Sequence, residues 1–157
     1  MTVIIGIGVP RFDSKLALNG DCWLWTAGVN HQGYGKFWHE NRTVAAHQFA
    51  FAAAGGQQPA GFQIDHTCHN EACERHQCSG GSTCPHRRCV NPAHLRLATP
   101  RENSAASLNT IAGVNTRKTH CPNGHEYDNI NATGDRGCRK CLAANARAYR
   151  ARRKAAA

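Results

Sequence analysis

Apolar and polar positions alternate along Cys22-Trp-Leu-Trp25 and again along Tyr34-Gly-Lys-Phe-Trp38, a period of two that predicts short strands. Asn30-His-Gln-Gly33 supplies a turn between them, and Glu40-Asn41-Arg42 can close a second hairpin. Residues 43–54 are dominated by alanine and stop at Gly55-Gly56, which predicts a helix with a glycine end. A further strand is expected at 62–66, with its return at Leu95-Arg-Leu97. Between these two, residues 67–92 carry neither period, and Cys, His and Gly crowd together. So long an irregular stretch inside a compact domain needs an organiser, and bound metal is the obvious one. Thr99-Pro-Arg-Glu102 then opens a helix with a capping box, running to about residue 108. Residues 1–20 are weakly patterned, and residues 109–119 read as a polar linker. The alanine-rich tail from 143 onward is expected to be helical, at least on a partner. Short strands mixed with helices give an α+β fold class.

The 157 residues suit one domain with a small appendage. Lys and Arg number 19 against 10 Asp and Glu, a net charge of +9 at pH 7 with a pI near 9.4. Charge of that density points to a polyanion, most often nucleic acid. No apolar run approaches the roughly 18–20 residues needed to cross a bilayer, so no membrane partner is expected. The apolar opening, Met1 to Pro10, lacks a basic lead and a small-residue cleavage site and is not expected to be a signal peptide. Nine cysteines stand beside ten histidines. An odd thiol count interleaved with imidazoles favours metal ligation in a reducing cytoplasm over a secreted disulfide framework. Aromatics at 7% and a mean hydropathy of −0.54 suggest a thin core, which bound zinc would reinforce.

Asp65-His66 ends the predicted strand at 62–66, Asn91 lies in the loop, and Asn103 sits one turn into the capped helix. That set suits phosphodiester hydrolysis. A histidine can deprotonate a water that attacks phosphorus. Asp65 and Asn103 offer oxygens to a hard divalent cation, Mg²⁺ or Mn²⁺, which would stabilise the crowded phosphorus and the leaving 3′ oxygen.

These residues carry a resemblance. Ile64-Asp-His-Thr-Cys68, Cys89-Val-Asn-Pro-Ala-His-Leu95 and Glu102-Asn103 resemble the HNH endonucleases of bacteriophages, as do Cys22-Trp-Leu-Trp25, Gly33-Tyr-Gly35 and Ala46-His47 upstream. The set is also similar to the His-Cys box homing endonucleases; both groups belong to the His-Me finger, or ββα-metal, superfamily. The resemblance implies a small zinc-stabilised ββα-metal nuclease domain over residues 11–108. A linker at 109–119 and a C-terminal zinc module with a basic DNA-binding tail at 120–157 would follow. It implies His66 as general base, Asp65 and Asn103 as holders of the catalytic metal, and Asn91 as a brace for the loop around the base. The products would carry 5′-phosphate and 3′-hydroxyl ends. Both a homodimer cutting two strands and a monomeric nickase fit the resemblance. One position departs: Gln48 follows His47 where the phage pattern has an arginine, so the arginine that would clamp the phosphate stays open. Lys36 and Arg42, on the preceding hairpin, are candidates for that task and read equally well as solvated strand charges.

The His-Cys box resemblance also implies a structural zinc held by Cys68, Cys89 and His94, with Cys22 as the upstream partner. Between Cys68 and Cys89 lies an insertion with Cys73, Cys78 and Cys84, near His69, His76 and His86. These could form an additional zinc site, and the partition of ligands among Cys68, Cys73, Cys78, Cys84 and Cys89 is open. Cys121 and His125 followed by Cys138 and Cys141 have the spacing of paired zinc knuckles. Arg139 and Lys140 lie inside the second knuckle. Arg147, Arg150, Arg152, Arg153 and Lys154 follow in the tail, and in a helix Arg147, Arg150 and Lys154 share one face, suited to tracking phosphates.

The expected function is a zinc-stabilised, Mg²⁺-dependent endonuclease of double-stranded DNA, working in the cytoplasm of a bacterial host. The main alternative is a zinc-dependent nucleic-acid-binding protein without catalysis, which would have no need of Asp65, His66 and Asn103. A redox or metal-storage role fits the thiols but not the ordered ligand spacing or the basic tail.

Overall fold

Alternating apolar positions become three antiparallel strand pairs in the larger of two compact units, which divide between Val114 and Asn115. The computed structural model describes residues 5–75, 78, 81–107 and 110–156, without the side chains of Cys73 and Glu74. In chain order the first unit runs α1 (Pro10–Asp13), β1 (Leu16–Asn19), β2 (Cys22–Trp25), β3 (Lys36–His39), β4 (Arg42–Ala45), α2 (Ala46–Ala53), β5 (Gln63–His66) and α3 (Thr67–Glu74). After the insertion come β6 (Leu95–Ala98) and α4 (Pro100–Ala106), and the division between the units falls within α5 (Ile111–Arg117). The architecture is a small α+β fold of short antiparallel sheets.

The core is aromatic and compact. Phe12, Trp25 and Phe37 bury their rings together, with centroids 4.8 Å apart for Phe12–Trp25 and 5.0 Å for Phe12–Phe37. Ala46 and Ala50 of α2 and Val90 of the loop before β6 close the cluster. Gly35 lies so close to Trp25 that a Cβ there would sit 2.6 Å from the indole, so the Gly33-Tyr-Gly35 motif admits the Trp25 ring. Between β3 and β4, Glu40 and Asn41 take φ of 48° and 60°, the left-handed pair of a tight two-residue hairpin turn.

Several expectations change here. Residues 5–20 are ordered around the core: Phe12 anchors it, Ile7 and Val9 pack on it, and β1 pairs with β2, while residues 1–4 lie outside the described residues. One buried ring per four-residue turn leaves no period to read. The helix expected from residue 43 begins instead at Ala46, because the β-branched Thr43 and Val44 pair with Trp38 and Phe37 as strand β4. The segment after His66 is helical from Thr67 to Glu74, where no element was expected. Among its described side chains Cys68 and Ala72 are the buried ones, one turn of signal. The capping box at Thr99 and Glu102 forms as expected, and α4 ends at Ala106. Inside the expected linker, α5 forms, with Thr110 Oγ accepting from the Gly113 amide 2.9 Å away.

The second unit contains the hairpin β7 (Asn129–Ile130) and β8 (Arg136–Gly137) and the long helix α6 (Arg139–Ala155). No described helix is long and apolar enough to cross a membrane.

Because the Phe12 ring touches Trp25, Phe37 and Phe49, Phe12→Ala is expected to cost about 3–5 kcal/mol of folding stability. Denaturant unfolding of the zinc-loaded chain measures it, and a loss under ~1 kcal/mol would show that the core is not organised on this ring.

Candidate active site and metal centres

Strand β5 delivers Asp65 and His66 side by side at its end, and both are buried. Asp65 pairs across the sheet with Arg96 of β6, which donates to its Oδ2 through Nε and a terminal nitrogen, each at 2.9 Å. Asn70 of α3 donates to Oδ2 at 2.8 Å and to Oδ1 at 3.1 Å. Oδ2 therefore bears most of the donors, and Oδ1 retains the capacity to accept.

His66 Nε2 lies 3.0 Å from the Cys89 carbonyl. A carbonyl only accepts, so Nε2 carries the proton and Nδ1 is left with the lone pair. Burial holds this imidazole below the usual histidine range, which keeps it neutral and able to accept a proton at Nδ1. The Tyr34 and His47 rings flank it with centroids at 5.8 and 4.8 Å. Burial and the neighbouring His66 push His47 down to about 3, so it adds no charge beside the base.

Asp65, His66 and Asn103 line one cavity of about 210 Å³. The Asn103 amide nitrogen donates to Gln63 Oε1 at 2.6 Å, which leaves Oδ1 as the group it can offer to a ligand. Asn91 does not line this cavity. Its amide nitrogen donates to the Asp21 carbonyl at 2.8 Å and its oxygen caps the turn Pro92–His94, tying the loop to the start of β2. Lys36 and Arg42 are exposed on β3 and β4 and are not among the cavity's lining residues.

Arg87 was missed by sequence reading and does line the cavity. Its guanidinium stacks 5.3 Å from the Tyr34 ring centre and donates to the Gln32 carbonyl at 2.9 Å. Its Nε is buried without a hydrogen-bond partner among the described residues. A buried donor left over in a polar cavity is suited to an anion. Only its position between Cys84 and Cys89, inside the insertion, could have suggested it.

Among the described residues, three Cys/His clusters could each hold a metal ion: Cys22, Cys68, Cys89 and His94; Cys121, His125, Cys138 and Cys141; and His69, Cys78 and Cys84. The first two are the sets expected from sequence. A zinc tetrahedron has S···S edges of about 3.8 Å and S···N edges of about 3.6 Å. In the first cluster His94 Nδ1 lies 3.6 Å from Cys22 Sγ and 3.5 Å from Cys89 Sγ. In the second, Cys121 and Cys141 are 3.7 Å apart, and His125 lies 3.7, 3.6 and 3.4 Å from Cys121, Cys138 and Cys141. Hydrogen bonds from the neighbouring thiols, with burial, push Cys68 up, while the same contacts pull Cys89 down. A divalent ion would let all three sulfurs ionise together. In the third cluster the structure brings in His69, whereas the side chain of Cys73 and the whole of His76 lie outside the described residues.

Seven basic residues of the second unit lie on α6. Arg139, Lys140, Arg147, Arg150, Arg152, Arg153 and Lys154 are all exposed along it. Cys138 caps this helix, its sulfur accepting from the Cys141 amide at 3.5 Å, so the metal cluster and the helix start are one structure.

No family model and no solved structure matches the chain. It is similar to two proteins of Escherichia phage T7. Protein 7.7 is 34% identical over 84 residues, covering 54% of this chain and 52% of that protein. Protein 2.8 is 31% identical over 90 residues, covering 56% of this chain and 50% of that protein. The chain spans about half the length of these curated relatives.

Cys138→Ser is expected to remove one zinc equivalent and to expose the first turn of α6, while residues 16–98 keep their protection. Metal analysis with hydrogen exchange reads both. Loss of protection in β5 and β6 as well would mean that the two units do not fold independently.

Proposed function

We propose that this chain is a metal-dependent DNA endonuclease of the HNH, or His-Me finger, class. The observation that carries the reading is the buried His66, with Nε2 bonded to a backbone carbonyl, in one cavity with Asp65 and Asn103. Nδ1 takes the proton from a water, the water oxygen bonds to phosphorus, and the bond from phosphorus to the 3′ oxygen breaks. The leaving 3′ oxygen takes a proton from solvent water, so the ends are a 5′-phosphate and a 3′-hydroxyl. Asp65 and Asn103 are the oxygen donors that would hold Mg²⁺ or Mn²⁺, and neither offers nitrogen or sulfur toward it. When bound, that ion stabilises the charge that develops on the phosphate and on the leaving oxygen. Arg87 takes the phosphate-clamping task, in place of the arginine that Gln48 replaces and of Lys36 and Arg42.

Zn²⁺ is the ion proposed for the two four-ligand clusters, because tetrahedral sulfur and imidazole sets select it over harder cations. With four protein ligands each, these sites are closed and structural. The exposed α6 supplies sequence-independent affinity for duplex DNA through its basic side chains. The similarity to T7 proteins supports a place of action in the cytoplasm of a bacterial host.

His66→Ala is expected to lose roughly 10²–10⁴-fold in cleavage rate while binding DNA with unchanged affinity. Supercoiled plasmid with Mg²⁺ or Mn²⁺ and an EDTA control reads nicked against linear product, and a gel shift reads binding. Equal binding with no cutting by wild type, across several DNA substrates, would favour the binding-protein alternative. Arg150→Glu with Lys154→Glu should instead weaken binding evenly across sequences and flatten its salt dependence. A sequence-selective loss would give α6 a role in base readout.

A further inference from the structure

The insertion between Cys68 and Cys89 is not absorbed by the catalytic reading, yet it holds a cluster of its own. His69 Nδ1 lies 3.2 Å from Cys84 Sγ and 3.7 Å from Cys78 Sγ, and the two sulfurs are 2.9 Å apart. That S···S separation exceeds a disulfide bond of about 2.05 Å and is shorter than a zinc edge of about 3.8 Å. Chelation therefore requires the thiols to part slightly, which two deprotonated sulfurs would do by repulsion. His86 Nδ1 lies 3.7 Å from Cys84 Sγ, at the edge of the cluster.

The neighbours of this cluster give it meaning. Cys68, His69 and Asn70 are consecutive on α3. Cys68 belongs to the first cluster, His69 to this one, and Asn70 donates to Asp65. At the other end, Cys84 and Cys89 bracket the single 3-10 turn Pro85–Arg88. The Arg87 amide donates to the Cys84 carbonyl at 3.3 Å, and the Cys89 amide donates to the His86 carbonyl at 3.1 Å. Arg87 is thus carried by a turn fastened at one end to the first cluster and at the other to the cluster in the insertion.

We propose that His69, Cys78 and Cys84 bind a third Zn²⁺, and that this ion holds the turn that places Arg87 in the catalytic cavity. Two sulfurs and an imidazole select a borderline-soft ion over Mg²⁺. Among the described residues Arg87 has no charged partner, so its placement rests on its contacts with Tyr34 and the Gln32 carbonyl and on the turn that carries it. The metal site stands by itself; its action through Arg87 rests on the endonuclease reading.

The full chain, loaded with Zn²⁺ and desalted, is expected to carry three equivalents. Cys78→Ser and Cys84→Ser should each carry two, the remaining two showing that the variant is folded. Two equivalents in wild type, or three in Cys84→Ser, would overturn the site, as would a native Cys78–Cys84 disulfide found by mass spectrometry. In plasmid cleavage, Cys84→Ser should be slower by roughly 10- to 100-fold with DNA affinity unchanged, and adding Arg87→Ala should cost nothing more. Full activity in a Cys84→Ser chain that has lost its zinc would overturn the role in placing Arg87. Three equivalents in a wild type that cuts no DNA would support the metal site and fail only the endonuclease reading.

Discussion

Cys89 carries the constraint on which the site depends. Its sulfur belongs to the first metal cluster, its carbonyl accepts the proton of His66 Nε2, and its backbone bridges Leu24 of β2. The next residue, Val90, is buried in the aromatic core and donates to the Trp23 carbonyl at 2.8 Å. Two residues therefore join the metal cluster, the candidate base, the neighbouring strand and the hydrophobic core. In so small a unit, with a core built on Phe12, Trp25 and Phe37, a metal tie of this kind substitutes for the apolar area that a larger domain would bury.

The electrostatics follow from that arrangement. Asp65 is buried beside Arg96 and Asn70, so its charge is met on one oxygen and retained on the other. His66 is kept neutral by burial, and His47 beside it is neutral for the same reason. Arg87 is the cation that the cavity adds, and it depresses His69 to about 4 together with burial, the larger cause. The cavity thus combines a neutral imidazole, two side chains with oxygens to offer and one arginine.

Much of this was legible in the sequence. The strands at Cys22, Gln63 and Leu95, the capping box at Thr99 and the cluster of Cys121, His125, Cys138 and Cys141 follow from alternation, cap chemistry and ligand spacing, while the cluster of Cys22, Cys68, Cys89 and His94 is the set that the His-Cys box resemblance implied. What escaped did so for physical reasons. Phe12 acts alone in its turn, so no period announces the core's central ring. Thr43 and Val44 sit in an alanine-rich stretch, and their β-branching is outweighed by the composition around them. Helix α3 has a single turn of apolar signal because ligands, not burial, hold it. Arg87 has no local signature at all, since only the folded path of the insertion brings it beside His66.

Three successive side chains of α3 point to three different tasks: Cys68 to one metal cluster, His69 to another, Asn70 to the Asp65 carboxylate. Each residue of an α-helix advances the chain by about 100°. Losing or gaining one residue at this point would turn all three side chains away from their partners together, whereas a substitution disturbs them one at a time. Length variation among relatives should therefore avoid residues 67–70 and gather after Glu74, where extra chain changes the path between Cys68 and Cys89 without rotating the helix. The start of α3 is a reading frame in space, tolerant of spelling changes in places but not of a shift.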